Sequence, residues 1–200
     1  MAKRHPDLLS VSTTAAFVVD VQENFRAHIH EFDAMLGSIK LLLQGCNALG
    51  VPIAVSEQYP QGLGHTVPEI DELTAGAPRF EKLEISSVAA PGWNQLPADV
   101  RNRGNFLVVG IETHVCVNQM VHDLLYAGKH VHVVADAVGS RDPWQRDIAL
   151  ERLAKAGATI TTVEMVLFEL LECAGSEQFK SVQRLIKLHD AARREMGVPA

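Results

Sequence analysis

Phe106-Leu107-Val108-Val109-Gly110-Ile111-Glu112-Thr113-His114-Val115-Cys116, followed by Val117-Asn118-Gln119-Met120-Val121-His122-Asp123-Leu124-Leu125, joins a short apolar run to a helical pattern. The run suits a strand buried on both faces, and a strand that feeds a helix is the unit of a parallel α/β sheet. Cys116 opens the helical pattern. A thiol at a helix start meets the positive end of the dipole and free backbone N–H groups, which favour thiolate over thiol. Cys116 is therefore a candidate nucleophile.

The same alternation extends in both directions. Upstream, Ala15 to Val19 reads as a buried strand, Phe32 to Leu49 as a helix stopped by Gly50, and Pro52 to Ser56 as a second strand. Between Glu57 and Pro78, Pro60, Gly62, Gly64 and Pro68 mark a long loop with one helical turn near Pro68 to Leu73. A short strand follows at Arg79 to Lys82, then a loop through Pro91 and a modest helix near Pro97 to Arg103. Downstream, the helix with Cys116 stops at Gly128. His130 to Ala135 is a strand, Pro143 to Ala156 a helix ended by Gly157, and Thr159 to Val163 a β-branched strand. Glu164 to Glu172 and Glu177 to His189 are helical.

About six strands alternating with helices predict an α/β fold, a three-layer α/β/α sandwich on a mostly parallel sheet with right-handed crossovers and Rossmann-like order 3-2-1-4-5-6. The chain has 200 residues, 47% of them hydrophobic, enough for one sizeable core, and no linker divides it. The expectation is one domain over 1–200, with a core of about 14–170 and C-terminal helices over 164–190.

Three cysteines and no apolar leader behind a basic start point to a reducing compartment without a disulfide framework. Its apolar stretches are too short for a bilayer, so a soluble, cytoplasmic protein is expected, with organelle import left open. The net charge is −6 with Lys and Arg dispersed, which leaves no footprint for nucleic acid.

In open parallel sheets, ligands sit beyond the carboxyl ends of the strands, where strand order reverses. Asp20 ends the first strand and Cys116 follows the strand at Phe106 to Val109, its neighbour across that point. Lys82 ends the short third strand. Taken alone, Asp20 is as well explained as a turn residue and Lys82 as a solvated charge. A lone cysteine is usually a small buried hydrophobe, the reading preferred for Cys46 and Cys173. Convergence on one crevice outweighs these separate readings for Asp20, Lys82 and Cys116.

Three segments carry a resemblance: Phe17-Val18-Val19-Asp20-Val21-Gln22-Glu23-Asn24-Phe25, Phe80-Glu81-Lys82, and Gly110-Ile111-Glu112-Thr113-His114-Val115-Cys116-Val117. Together, in this order, they resemble the isochorismatase-like cysteine hydrolases over roughly Thr14 to Leu170. Glu57-Gln58-Tyr59-Pro60-Gln61-Gly62-Leu63-Gly64 and Val134-Ala135-Asp136-Ala137 place the likeness nearest the isochorismatase domain-containing subgroup. The resemblance implies an Asp-Lys-Cys triad of Asp20, Lys82 and Cys116. It implies an oxyanion hole from the backbone N–H groups of Glu112 and Cys116, and a cis peptide between Ile111 and Glu112. It also implies a homo-oligomer; the apolar stretch Met165 to Leu171 suits an interface and core equally.

Departures from relatives narrow the chemistry. Where nicotinamidases of this fold carry an Asp-x-His metal pair, this chain has Ser56-Glu57-Gln58-Tyr59-Pro60, so no catalytic metal is expected. Isochorismatases proper cleave a vinyl ether and commonly lack the thiol, so Cys116 favours acyl transfer. Gln22, Phe25, Gln58, Tyr59, Thr113 and His114 are pocket candidates, with a turn-stabilising role an equal alternative for His114. His28-Ile29-His30 and His130-Val131-His132 have metal-like spacing, but structural or solvated roles are the better reading. Gly62-Leu63-Gly64 lacks a dinucleotide setting and no Walker-type loop is present, so no cofactor is expected.

The expected function is a cofactor-independent cysteine hydrolase of a small amide-like or acyl substrate, through a covalent thioester at Cys116. The partners expected are a small-molecule substrate and further copies of the chain, with no nucleic acid and no membrane. Two other classes stay open: a non-catalytic binding or scaffold module, and a nuclease.

Overall fold

The structure is a computed structural model that describes residues 4, 5 and 7–195. Six strands, β1 (Thr14–Val19), β2 (Ile53–Gln58), β3 (Arg79–Lys82), β4 (Asn105–Ile111), β5 (His130–Gly139) and β6 (Thr159–Thr161), form one sheet. Their order is β3-β2-β1-β4-β5-β6 and every pairing is parallel. The helices between and after them are α1 (Phe32–Leu49), α2 (Pro60–Leu63), α3 (Pro68–Asp71), α4 (Ala98–Arg101), α5 (Asn118–Tyr126), α6 (Pro143–Lys155), α7 (Val163–Leu171) and α8 (Glu177–Glu195).

β1 is apolar along its length because both faces of the sheet are covered. Ala16 and Val18 join one core with Ile39, Leu42 and Val109, whereas Ala15, Phe17 and Val19 join the other with Trp93, Phe106 and Met120. α1 presents Leu36, Ile39 and Leu43 to the first core and ends as its sequence predicts, with Gly50 at φ 75° and Val51 N–H donating to the Cys46 carbonyl at 2.9 Å. α7 buries Val166, Leu167, Leu170 and Leu171, so the stretch Met165 to Leu171 is mostly core, with Met165 and Phe168 turned outward.

The strand ends differ from the sequence reading in two instructive places. β5 continues to Gly139 rather than stopping near Ala135, because its pairing with β4 slips between Val108 and Gly110 and lets Val138 and Gly139 pair with Gly110 and Ile111. β6 stops at Thr161, because the Thr162 hydroxyl accepts from Met165 N–H and starts α7, so Val163 is helical. Cys173 was expected to be buried, but α7 ends at Leu171 and Glu172 turns with φ 60°, which leaves Cys173 exposed.

Gly110 fixes how closely β4 approaches β1. Its φ is 112°, and a Cβ there would fall on the Val19 carbonyl oxygen, next to Asp20. Gly110→Ala is expected to cost about 3 kcal/mol or more, seen as a lowered thermal midpoint, since both the backbone angle and the contact are closed to a side chain. An unchanged midpoint would mean that β1 and β4 are not held this tightly.

Candidate active site

Parallel pairing brings the carboxyl ends of β1 to β4 to one edge: Val19 is opposite both Ser56 and Gly110, and Gln58 is opposite Lys82. Asp20 leaves β1 in the left-handed region, φ 54°, a conformation non-glycine residues hold mainly where function or local hydrogen bonding requires it. Asp20 is buried, 1% exposed, and each carboxylate oxygen has a hydrogen-bond partner. Oδ1 accepts from Ser56 Oγ at 2.7 Å and Oδ2 accepts from Lys82 Nζ at 2.7 Å. The only proton of Ser56 goes to Asp20, so Ser87 Oγ, 3.0 Å away, donates to Ser56. The two other N–H groups of Lys82 are shared among Gln58 Oε1 and the carbonyls of Glu84 and Ile85, the last two at 3.2 Å. Such a pair is tolerated out of water because each partner has further hydrogen bonds besides the ion pair.

Cys116 faces this pair from across the switch point. It lies within a π-helical turn, Thr113–Val117, where Val117 N–H reaches back to the Glu112 carbonyl at 3.3 Å; α5 begins only at Asn118. Turns of this kind recur at functional sites. The Ile111–Glu112 peptide that enters the turn is cis. The thiol is 7% exposed and lies near enough to the Asp20 carboxylate and the Lys82 ammonium for both charges to act on it. Burial, then the Asp20 carboxylate, push the Cys116 thiol up to about 12, against a smaller pull from Lys82. The expectation of a favoured thiolate is therefore reversed. A helix start helps an exposed cysteine, but here desolvation and a facing carboxylate outweigh the dipole.

In the resting protein, the rate of Cys116 alkylation by iodoacetamide is expected to keep rising with pH beyond the ordinary thiol range, about 8.5. A plateau reached near that value would contradict this environment.

A cavity of about 260 Å³ opens over the thiol. Asp20, Gln58, Glu112, Cys116 and Arg141 form its polar wall, and Phe25, Ile85, Ile111 and Val115 its apolar wall. An adjoining cavity shares Phe25, Glu112 and Arg141 and extends past His28 and Ile29. Of the pocket candidates, Phe25 and Gln58 line the main cavity, and the others are placed elsewhere. Gln22 is fully buried and braces the end of β2 and the loop after it: its Nε2 donates to the Gln58 carbonyl at 3.0 Å and to the Gly64 carbonyl, and its Oε1 accepts from Gln58 N–H at 2.8 Å. Tyr59 stands half-exposed against Gly62. Thr113 Oγ1 donates to the Gly139 carbonyl and His114 Nδ1 meets Ser140 Oγ, each at 3.0 Å, so they tie the turn to the last residue of β5 and to the residue that follows it.

Glu57 anchors the loop after β2. Its buried carboxylate accepts from Thr66 N–H and Oγ1 at 2.8 and 2.6 Å, and it contacts His65 and Arg79. Burial opposes its charge, but these donors outweigh burial and hold the carboxyl below its ordinary value. His28 lines the adjoining cavity, His30 and His130 are exposed, and His132 is buried with its pKa lowered by desolvation.

Sequence reasoning missed Arg141, Ile85 and the Ser56–Ser87 hydroxyls. With β5 ended near Ala135, Arg141 lay too far along the loop to be considered; with the strand ending at Gly139, it sits where ligands are expected.

The isochorismatase-domain family model matches residues 14–165, which contain every residue of this site. The chain belongs to the isochorismatase family. Isochorismatase domain-containing protein 1 of Danio rerio is 43% identical over 90% of this chain, which spans 63% of that relative's length. MAR1 ribonuclease of Caenorhabditis elegans superposes with a TM-score of 0.85 at 38% identity, over 90% of this chain and 92% of that one. The octameric YcaC hydrolase of Escherichia coli, of unknown specificity, superposes with a TM-score of 0.87 at 22% identity, over 98% and 96%, a likeness of fold. The six-stranded parallel sheet of this isochorismatase-family chain agrees with those neighbours. Among the described residues, no helix is long and apolar enough to cross a membrane.

Proposed function

We propose that this isochorismatase-family protein is a cysteine hydrolase of small amide-like or acyl substrates, with Asp20, Lys82 and Cys116 as its catalytic residues. The observation that carries the reading is the buried Asp20–Lys82 pair, 2.7 Å apart, with Asp20 and Cys116 in the wall of one cavity. Because the thiol rests protonated, its proton passes to Asp20 as sulfur attacks the substrate carbonyl carbon. The resulting oxyanion is met by the backbone N–H groups of Glu112 and Cys116, a donor arrangement worth roughly 3 kcal/mol of barrier. When the tetrahedral centre collapses, the carbon–nitrogen bond breaks and Asp20 gives its proton to the leaving amine. A thioester remains on Cys116. Water then attacks it as Asp20 takes the water proton, the carbon–sulfur bond breaks, Asp20 returns the proton to sulfur, and the carboxylic acid leaves. Lys82 stays charged throughout and steadies whichever partner is anionic. Every proton and electron pair is carried by these side chains and water, so the cycle requires no cofactor.

One comparison favours a second reading, cleavage of RNA, because the Caenorhabditis elegans relative is named a ribonuclease. Against it here stand a net charge of −6 and a cavity with Asp20 and Glu112 in its wall, both unfavourable to a phosphate backbone. An amide and ester library and an RNA substrate, assayed in parallel before and after alkylation of Cys116, separate the readings. Amide or ester hydrolysis that alkylation abolishes supports the proposal; RNA cleavage alone would replace it, and no Cys116-dependent product would leave a binding module. We also propose a homo-oligomer, which solution mass tests.

A further inference from the structure

Arg141 is the one arginine in the wall of the main cavity, the kind of residue that recognises a substrate carboxylate. That seat is already taken from inside the protein. Glu112 Oε1 accepts from Arg141 Nη1 at 2.7 Å, and Glu112 Oε2 accepts from Arg141 backbone N–H at 3.0 Å. The pair is asymmetric: the Glu112 side chain is 7% exposed and that of Arg141 64%. The carboxylate is buried beside the proposed oxyanion hole while the guanidinium reaches toward solvent. Lys82 is no substitute, since its ammonium is fully buried and shared among Asp20, Gln58 and two carbonyls.

We infer that the Glu112–Arg141 pair is a built-in counter-charge that makes this cavity select uncharged acyl substrates over those carrying a carboxylate. The inference rests on Cys116 being the nucleophile. The charges near the thiol balance in two internal pairs, Asp20 with Lys82 and Glu112 with Arg141. An incoming anion gains no unpaired cation and meets two carboxylates in the wall. A neutral amide meets no such opposition, and Phe25, Ile85 and Val115 take its apolar part.

Iodoacetamide and iodoacetate test this without a known substrate, because they have nearly the same shape and differ in charge. Each forms a carbon–sulfur bond at Cys116 as iodide leaves and the thiol proton is lost. Rate constants are read by mass spectrometry of the Cys116 peptide at one fixed pH, and their ratio is normalised to the same ratio for glutathione. The wild-type protein is expected to favour iodoacetamide by about tenfold more than glutathione does, because the buried Glu112 carboxylate is offset only in part by its more exposed Arg141 partner, whereas one wholly unpaired charge at ~4 Å and an effective dielectric of ~20 would amount to far more. Glu112→Gln keeps the shape, frees the guanidinium and is expected to return about tenfold of preference to iodoacetate. Arg141→Gln removes the counter-charge and shifts the ratio further against iodoacetate, and it carries the test if the first variant does not fold. A normalised ratio within about twofold of wild type in the folded variants overturns the inference. No reaction of wild-type Cys116 with either reagent is a different failure, because it removes the nucleophile itself.

Discussion

Cys116→Ala is expected to reduce turnover of any acyl substrate to background, a loss of roughly 10⁴-fold or more, because the covalent route disappears with the sulfur. Removing one sulfur from a buried site costs only about 1 kcal/mol, so the variant should fold and melt within a few degrees of wild type. The pairing of near-normal stability with lost turnover is what assigns chemistry to the thiol. Cys116→Ser is expected to fail as well, since a hydroxyl facing Asp20 is even harder to deprotonate than a thiol already pushed up to about 12. Full activity in Cys116→Ala, measured on the same substrate, would remove the mechanism.

Asp20→Asn is expected to move two measurements in opposite directions. Turnover should fall by roughly 10² to 10⁴, because no group remains to take the thiol proton and return it to the leaving amine. Thiol alkylation should rise at a given pH. The Asp20 carboxylate raises the Cys116 pKa and Lys82 lowers it, so removing the carboxylate leaves the cation unopposed and increases the thiolate fraction. The pH midpoint of alkylation in the variant therefore lies below that of wild type. A purely architectural Asp20 predicts something else: both rates would fall together as the site loosens. Some loss of stability accompanies either outcome, since Lys82 loses its ionic partner and keeps only Gln58 and the carbonyls of Glu84 and Ile85.

These contrasts show what local sequence does and does not carry. Strand order and the meeting of Asp20, Lys82 and Cys116 were legible because they follow from buried apolar runs and from the rule that parallel sheets work at their carboxyl ends. The end of α1 was legible because Gly50 supplies the left-handed residue that such a stop demands. The length of β5 was not, because it depends on an irregularity in pairing with β4 that leaves no mark on the sequence from Ala135 to Gly139. With it went Arg141 and the partner of Glu112. The ionisation of Cys116 was misjudged for a related reason: the helix start is local, but the desolvation and the Asp20 carboxylate that dominate it are tertiary. Gln22 and Glu57 lie in suggestive motifs, yet the structure uses both to hold the loop after β2.

The central claim is a covalent acyl group on Cys116. An activated ester or thioester substrate, chosen so that acylation outruns hydrolysis, can be mixed with the protein and quenched at short times, and the peptide spanning Cys116 weighed. A mass gain equal to the acyl group is expected, confined to Cys116, cleaved by hydroxylamine, absent from Cys116→Ala, and decaying at the rate that acid appears. Acid released at the full rate while the Cys116 peptide keeps its unmodified mass at every time point, and released equally by Cys116→Ala, would contradict it.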